Sequence, residues 1–338
     1  MTPNPVVVEV SRGDRVESFH RGAVVVVDTR GVILHKIGEA ERPIYPRSAV
    51  KPLQALPLVA SGAADRLGLS LAELAIACGS HAGTAHHLSV VDGMLRKAGS
   101  TLSQLECGTH RPFHEASSRD LDARGMPATP LHNNCSGKHA GFLCVARALD
   151  VDPTGYTEPD HPVMRGVAAA LAATTRASHD AGNRGTDGCS IPTFAIPLSA
   201  VATGFARLGT GTDLSDSLAR AAARIREAVT AHPEMVAGSG RFDTLVNAAG
   251  GGAILCKCGA EGTGAAALPT LGLGIAVKLD DGASRAVEVV MATILGSLLR
   301  GTSEVVTVLD GLADHTLQNW RGTNIGRVQA AHHVGRTL

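Results

Sequence analysis

Three short apolar runs open the chain. Val6 to Val10, Ala23 to Val27 and Val32 to Ile37 are rich in β-branched residues and too short for helices, so each predicts a strand. Asp28-Thr29-Arg30-Gly31 lies between the second and third and predicts a hairpin. The period then changes. Apolar positions from Leu53 to Ala60 suit a helix running to about Ser61. Ser70-Leu71-Ala72-Glu73 is a capping box that opens a short helix to about Ala77. Further helices are predicted from about Ala85 to Ala98, Ala140 to Leu149 and about His161 to Arg176. The stretch from about Gly99 to Leu131 reads as loop.

Ile191 to Leu198 reads as a strand interrupted by Pro192 and Pro197. Two helices follow, about Ala200 to Leu208 and Leu214 to Ala231. Gly252 to Cys258 and Leu271 to Leu279 read as antiparallel neighbours, and Asp281-Gly282 turns the chain into a long apolar helix, Arg285 to Leu299. No repeat, low-complexity tract or linker divides the chain, so it reads as one domain, 1–338. The tail from about Thr316 to Leu338 carries no clear pattern and is expected to be loosely held, with His332-His333 at the surface.

Composition sharpens this. Apolar residues are 44% of the chain but aromatics only 3%, so the core must be built from Ala, Val and Leu. Thirty-one basic residues balance thirty-one acidic ones, and no basic block offers a footprint for nucleic acid. No apolar run reaches the roughly 18–20 residues of a bilayer span. Met1-Thr2-Pro3-Asn4-Pro5 lacks the basic and apolar regions of a leader, so a cytoplasmic protein without membrane or nucleic-acid partners is expected. Seven scattered cysteines do not form a disulfide framework. Lysines are scarce: Lys36, Lys51, Lys97, Lys138, Lys257 and Lys278. A lysine inside a motif is therefore informative, because arginine cannot deprotonate to act as a base.

Two of these lysines stand beside possible nucleophiles. In Pro46-Arg47-Ser48-Ala49-Val50-Lys51-Pro52, a hydroxyl and an amine three apart meet on one face of a helical turn. Such a pair can deprotonate the hydroxyl for attack on a carbonyl, provided the amine is neutral. The plain alternative is a helix cap and a solvated lysine. Pro52 also disfavours αR at Lys51, which predicts a distorted first turn. Cys78-Gly79-Ser80-His81-Ala82-Gly83 puts a serine in a tight loop that lets a substrate approach. Asn133-Asn134-Cys135-Ser136-Gly137-Lys138-His139 is the densest polar cluster and runs into a helix start, a place to hold an anion or lower a thiol pKa. Asp187-Gly188-Cys189 offers a second thiol, the partner Cys135 needs to bind a metal. Gly238-Ser239-Gly240-Arg241-Phe242-Asp243 has neither a preceding strand nor a phosphate-loop lysine, which argues against a nucleotide site.

Ser-x-x-Lys with a late strand Lys-x-Gly resembles the serine β-lactamase and penicillin-binding group, but no Ser-Asp-Asn is present. The ordered set is more similar to the rhizobial-type L-asparaginases, the class 3 or asparaginase II family. It comprises Pro46 to Lys51, Gly79-Ser80-His81, Asn133 to His139, Asp187-Gly188-Cys189, Gly240 to Asp243 and Lys257-Cys258-Gly259-Ala260-Glu261-Gly262. The resemblance spans about Val6 to about Leu312. It implies an α+β, serine β-lactamase/penicillin-binding-like fold, with an antiparallel sheet, helices on its faces and a helical region. It implies a homodimer that hydrolyses L-asparagine to L-aspartate and ammonia. By the same resemblance Ser48 is the nucleophile and Lys51 its base, Ser80 and Lys257 form a second pair, and Cys135, Lys138 and Cys189 bind one zinc ion per subunit. Two lysines in one pocket would favour a neutral one. The substrate set is Arg47 and Arg241 for the carboxylate, Asp187 or Glu261 for the ammonium, and His139. Cys258 stands where Lys-Thr-Gly would place a threonine, which argues against penicillin chemistry. A penicillin-interacting hydrolase and a non-catalytic zinc-binding protein are the alternatives.

Overall fold

The computed structural model describes residues 3–300 and 303–335. Its strands are β1 (Val6–Arg12), β2 (Arg15–Asp28), β3 (Ile33–Ile37), β4 (Pro43–Ile44), β5 (Arg184–Thr186), β6 (Pro192–Phe194), β7 (Ile196–Pro197), β8 (Leu255–Gly259), β9 (Thr263–Leu268), β10 (Leu273–Leu279), β11 (Asp314–Gln318) and β12 (Asn324–Ala330). One eight-stranded sheet runs β11-β12-β1-β2-β10-β9-β8, with β3 also paired to β2. Every pairing in it is antiparallel. β4 pairs with β7 and β5 with β6 outside it.

The helices are α1 (Lys51–Gln54), α2 (Leu56–Ala60), α3 (Ala63–Arg66), α4 (Leu71–Ala77), α5 (Ala85–Ala98), α6 (Glu115–Ala123), α7 (Ser136–Leu149), α8 (Pro162–Thr175), α9 (Leu198–Thr210), α10 (Asp216–Ala231), α11 (Phe242–Gly250), α12 (Ser284–Leu298) and α13 (Ser303–Ala313). The period-2 alternation of the strands divides the core in two. Ala23, Val25 and Val27 of β2, with Ala265 and Ala267 of β9, face the helical region. Val24 and Val26, with Ile275 and Val277 of β10, face the layer that contains α12. α9 lies on the first face against β2, β9 and β10, and α12 lies on the second. Leu53, Leu56, Leu74 and Ile76 are fully buried in the first core. Each such side chain contributes about 1.5–3 kcal/mol relative to exposure. The antiparallel sheet, its helical faces and its helical region form the α+β arrangement the resemblance implies.

Several expectations hold at element level. The Ser70 capping box is made: Ser70 Oγ accepts the Glu73 N–H at 3.3 Å, and Glu73 Oε2 accepts the Ser70 N–H at 2.7 Å. Other expectations need correction. The helix expected over Leu53 to Ala60 is split into α1 and α2, each with a proline in its first turn. α6 lies in the segment read as loop, and most of α11 lies in a stretch for which no element was expected. Leu271 to Leu279 is not the neighbour of β8, because β9 lies between them. β9 is Thr-Gly-Ala-Ala-Ala-Leu, poor in strand-forming types, and it is a strand because helices cover both its faces. The tail is ordered over β11 and β12, and β12 pairs with β1. β11 is mostly exposed and polar, so the backbone ladder rather than an apolar stripe holds it. The last part of that tail, 336–338, lies outside the described residues. No described helix is long and apolar enough to cross a membrane.

Candidate active site

Arg47 to Val50 form a 3₁₀ turn that leads directly into α1. Arg47 sits at φ +51°, a left-handed conformation uncommon for a residue with a side chain. The Lys51 N–H bonds the Ser48 carbonyl, so the two residues are three apart in 3₁₀ geometry, where such positions eclipse. Lys51 is fully buried. Its Nζ donates to the Gly79 carbonyl at 2.6 Å and lies 2.9 Å from Ser80 Oγ. Burial lowers its pKa, and Lys138 and Lys257 push the same way against the opposing influence of Cys135 and Cys189.

The loop bearing Ser80 is pinned by the Ser80 N–H on the Val236 carbonyl at 2.7 Å. Gly79 permits that approach, since a Cβ there would lie 2.5 Å from the Met235 carbonyl oxygen. Gly259 at the end of β8 does the same for the serine turn. A Cβ on it would lie 2.6 Å from the Ala49 nitrogen and 3.1 Å from the Ser48 nitrogen. β8 therefore delivers Lys257 to the same place. Lys257 does not bond Ser80, however. Its Nζ pairs with Asp243 Oδ2 at 2.5 Å and also donates to the Cys258 carbonyl. The side-chain hydrogen bonds thus join Lys51 to Ser80 and Lys257 to Asp243, and among the described residues none joins Ser48 to Lys51 or Ser80 to Lys257. Among the described residues the Ser48 side chain makes no hydrogen bond.

Ser48, Ser80, Arg241, Asp243, Lys257 and Glu288 line one cleft of about 300 Å³. That volume suits a small polar molecule. The rest of the expected substrate set is dispersed. Arg47 pairs with Asp187 at 2.9 Å. Burial would raise the Asp187 carboxyl, but Lys138, Arg47 and the Gly188 N–H outweigh it and hold it below the usual range. Arg47 and Glu261 line a neighbouring cleft of about 430 Å³ with Tyr45 and Lys278. His139 is fully buried, with Nδ1 2.7 Å from the Tyr156 hydroxyl, and it lines neither cleft.

Cys135, Lys138 and Cys189 do converge. Cys135 immediately precedes α7, Lys138 is in its first turn, and Cys189 comes from the turn between β5 and β6. All three are buried, and Lys138 Nζ lies 3.1 Å from Cys189 Sγ. A hydrogen bond from Cys189 drives the Cys135 thiol well below its ordinary pKa. Burial opposes this, while Lys51 and Lys138 reinforce it. Burial works to lower Lys138, but Cys189, Cys135 and Asp187 outweigh it and raise its pKa. A thiolate, a thiol and an ammonium meet in one buried spot, and once Cys189 and Lys138 give up their protons they form a donor set that fits zinc. A second group, Asp243, Cys256 and Cys258, has donor atoms within 4.8 Å of one another. Its carboxylate is already engaged by Lys257.

Asp243 and Glu288 line the serine cleft but were not among the residues expected there. Asp243 ends the Gly240 to Asp243 motif but was given no role there, and it lies in the first turn of a helix that was not foreseen. Glu288 left a legible signal, a lone carboxylate within the apolar pattern of Arg285 to Leu299.

Among solved structures the chain is similar to a protein of Bacteroides dorei described as a β-lactamase, at 15% identity and a TM-score of 0.39, covering 77% of this chain and 87% of that one. It is similar to a β-lactamase from Mycobacterium bovis at 13% identity and a TM-score of 0.33, covering 79% and 89%. A variant of the simvastatin synthase of Aspergillus terreus matches at 14% identity and a TM-score of 0.35, covering 76% and 86%. At these identities none of those activities carries over. No curated protein matches the chain. The family described as L-asparaginase II matches residues 8–330, nearly the whole chain, and the protein belongs to that family.

Proposed function

We propose that the protein hydrolyses L-asparagine to L-aspartate and ammonia in the Ser48–Ser80 cleft. The observation that carries this reading is the buried Lys51 amine. Among the described residues it has no carboxylate partner, and it lies 2.9 Å from Ser80 Oγ, one 3₁₀ turn from Ser48. A neutral Lys51 takes the Ser48 proton as Ser48 Oγ attacks the carboxamide carbon. Ser80 passes that proton to the departing nitrogen, the C–N bond breaks, and ammonia leaves an aspartyl ester on Ser48. Water then attacks the ester with Lys51 again as base, which restores the hydroxyl and releases aspartate. Lys257, paired with Asp243, is a fixed positive charge at the cleft wall.

Cys135, Lys138 and Cys189 would hold a zinc ion beside this cleft. When bound, it supplies a positive centre that orients a polar group of the substrate. Lys138 must lose its proton to ligate, because an ammonium has no lone pair to give. Elemental analysis is expected to give one zinc per chain for wild type and none for Cys135→Ala or Cys189→Ala. A metal-free wild type purified with zinc and without chelator removes the site. A homodimer is part of the same proposal, and light scattering tests it.

Ammonia release from asparagine tests the reaction, with a chromogenic cephalosporin as the control substrate. Folded Ser48→Ala is expected to lose at least about a hundredfold in kcat. Near wild-type kcat in that variant moves the attack to Ser80.

A further inference from the structure

An amino-acid substrate brings a positive and a negative charge into a cleft, and each must meet an opposite charge when water is displaced. The structure narrows which residues can do so. Arg47 and Asp187 neutralise one another at 2.9 Å. Glu261 lines the neighbouring cleft. Asp243 already accepts Lys257 Nζ at 2.5 Å and the Cys258 N–H at 2.9 Å. Two charges lining the serine cleft remain unused. Arg241 is exposed at its rim and Glu288 is half-buried in its wall. Among the described residues, neither side chain makes a hydrogen bond or an ion pair.

Resting on the asparaginase reading of this cleft, we infer that Glu288 receives the α-ammonium of the amino-acid substrate while Arg241 takes its α-carboxylate. Glu288 projects from α12, where Val287, Val289 and Val290 are buried and fix the helix face. Ser284, one turn earlier, lines the same cleft. Glu288 also borders a smaller cleft of about 150 Å³ with Arg285 and His315. Arg285 is turned to His20 Nε2 at 3.1 Å. Burial raises the Glu288 carboxyl above its ordinary pKa, and Asp243 adds to this more than Arg241 offsets. That is the condition of a carboxylate without its cation. The arrangement selects an α-amino acid amide over the same amide without the amine, which would leave Glu288 unpaired in its wall.

The test compares L-asparagine with succinamate, which lacks only the α-amine, in wild type, Glu288→Gln and Glu288→Asp, by ammonia release. In folded Glu288→Gln, asparagine KM is expected to rise at least tenfold. The kcat/KM preference for asparagine over succinamate is expected to fall at least about a hundredfold. Glu288→Asp, which keeps the charge, is expected to recover part of the preference. A merely structural glutamate would weaken both substrates together, so an unchanged preference overturns the inference while the asparaginase reading stands. If wild type turns over neither amide, calorimetry with L-aspartate replaces the assay. At least tenfold weaker binding in Glu288→Gln then upholds the inference although the reading fails, and equal affinity in the two proteins overturns it. If Glu288→Gln does not fold, Glu288→Asp decides alone: a preference reduced at least about tenfold upholds the inference, and an unchanged one overturns it.

Discussion

Lys51 and Lys257 are almost equally buried, at 0% and 2% exposure, and their surroundings make them opposites. Lys51 meets a carbonyl and a hydroxyl, and the pull of the nearby Cys135 thiolate does not outweigh burial. Lys257 meets a carboxylate at 2.5 Å. Burial alone pushes an amine towards neutrality, and a carboxylate in contact reverses that push. One site therefore suits a proton acceptor and the other a standing cation. Burial of a lysine is not what makes a base. Among the described residues, what separates the two is a carboxylate in contact with the amine, present at Lys257 and lacking at Lys51.

The sharpest way to break this comparison is to put arginine at both positions. Lys51→Arg is expected to lower kcat at least about a thousandfold, since a guanidinium does not deprotonate in proteins. Lys257→Arg keeps a cation for Asp243 and is expected to retain far more activity. Equal losses in steady-state assays of the two folded variants would end the distinction.

Stability offers the next largest effect. Asp243→Asn leaves Lys257 buried without its partner and is expected to cost about 3 kcal/mol in chemical denaturation. Replacing both, as Asp243→Asn with Lys257→Met, is expected to recover part of that loss. An Asp243→Asn protein as stable as wild type would mean that the pair is not buried in solution.

The smallest effect is on pH dependence. The Lys51 pKa is lowered, so its neutral fraction grows with rising pH, and kcat/KM is expected to climb towards alkaline pH and level off before the ordinary lysine range. Lys257→Met removes a neighbouring cation and leaves Asp243 unpaired. Both changes favour charged Lys51, so the limb is expected to move to higher pH. A profile flat from about pH 6 to 10 in wild type counts against a lysine base altogether.

What the sequence determined by itself is local. β-branched runs give strands, the Ser70 capping box gives a helix start, and prolines mark where helices break. Each depends on neighbours within a few residues. The ordered motifs also brought Ser48, Ser80, Arg241 and Lys257 to one cleft, and Cys135, Lys138 and Cys189 to one buried spot. Only the tertiary structure decided which partner each side chain takes. Lys51 turns to Ser80, 29 residues on, because Gly79 lets that loop close against Val236. Asp243 claims Lys257 because α11, unseen in the pattern, sets its first turn against β8. Arg47 spends its charge on Asp187, 140 residues away. Pairings of this kind depend on ångström distances between elements far apart in the chain. Residue type and spacing do not encode those distances one segment at a time. The same holds for β9, whose small residues form a strand only because α9 and α12 enclose it, and for Glu288, which only the packing of α12 leaves uncompensated in the cleft wall.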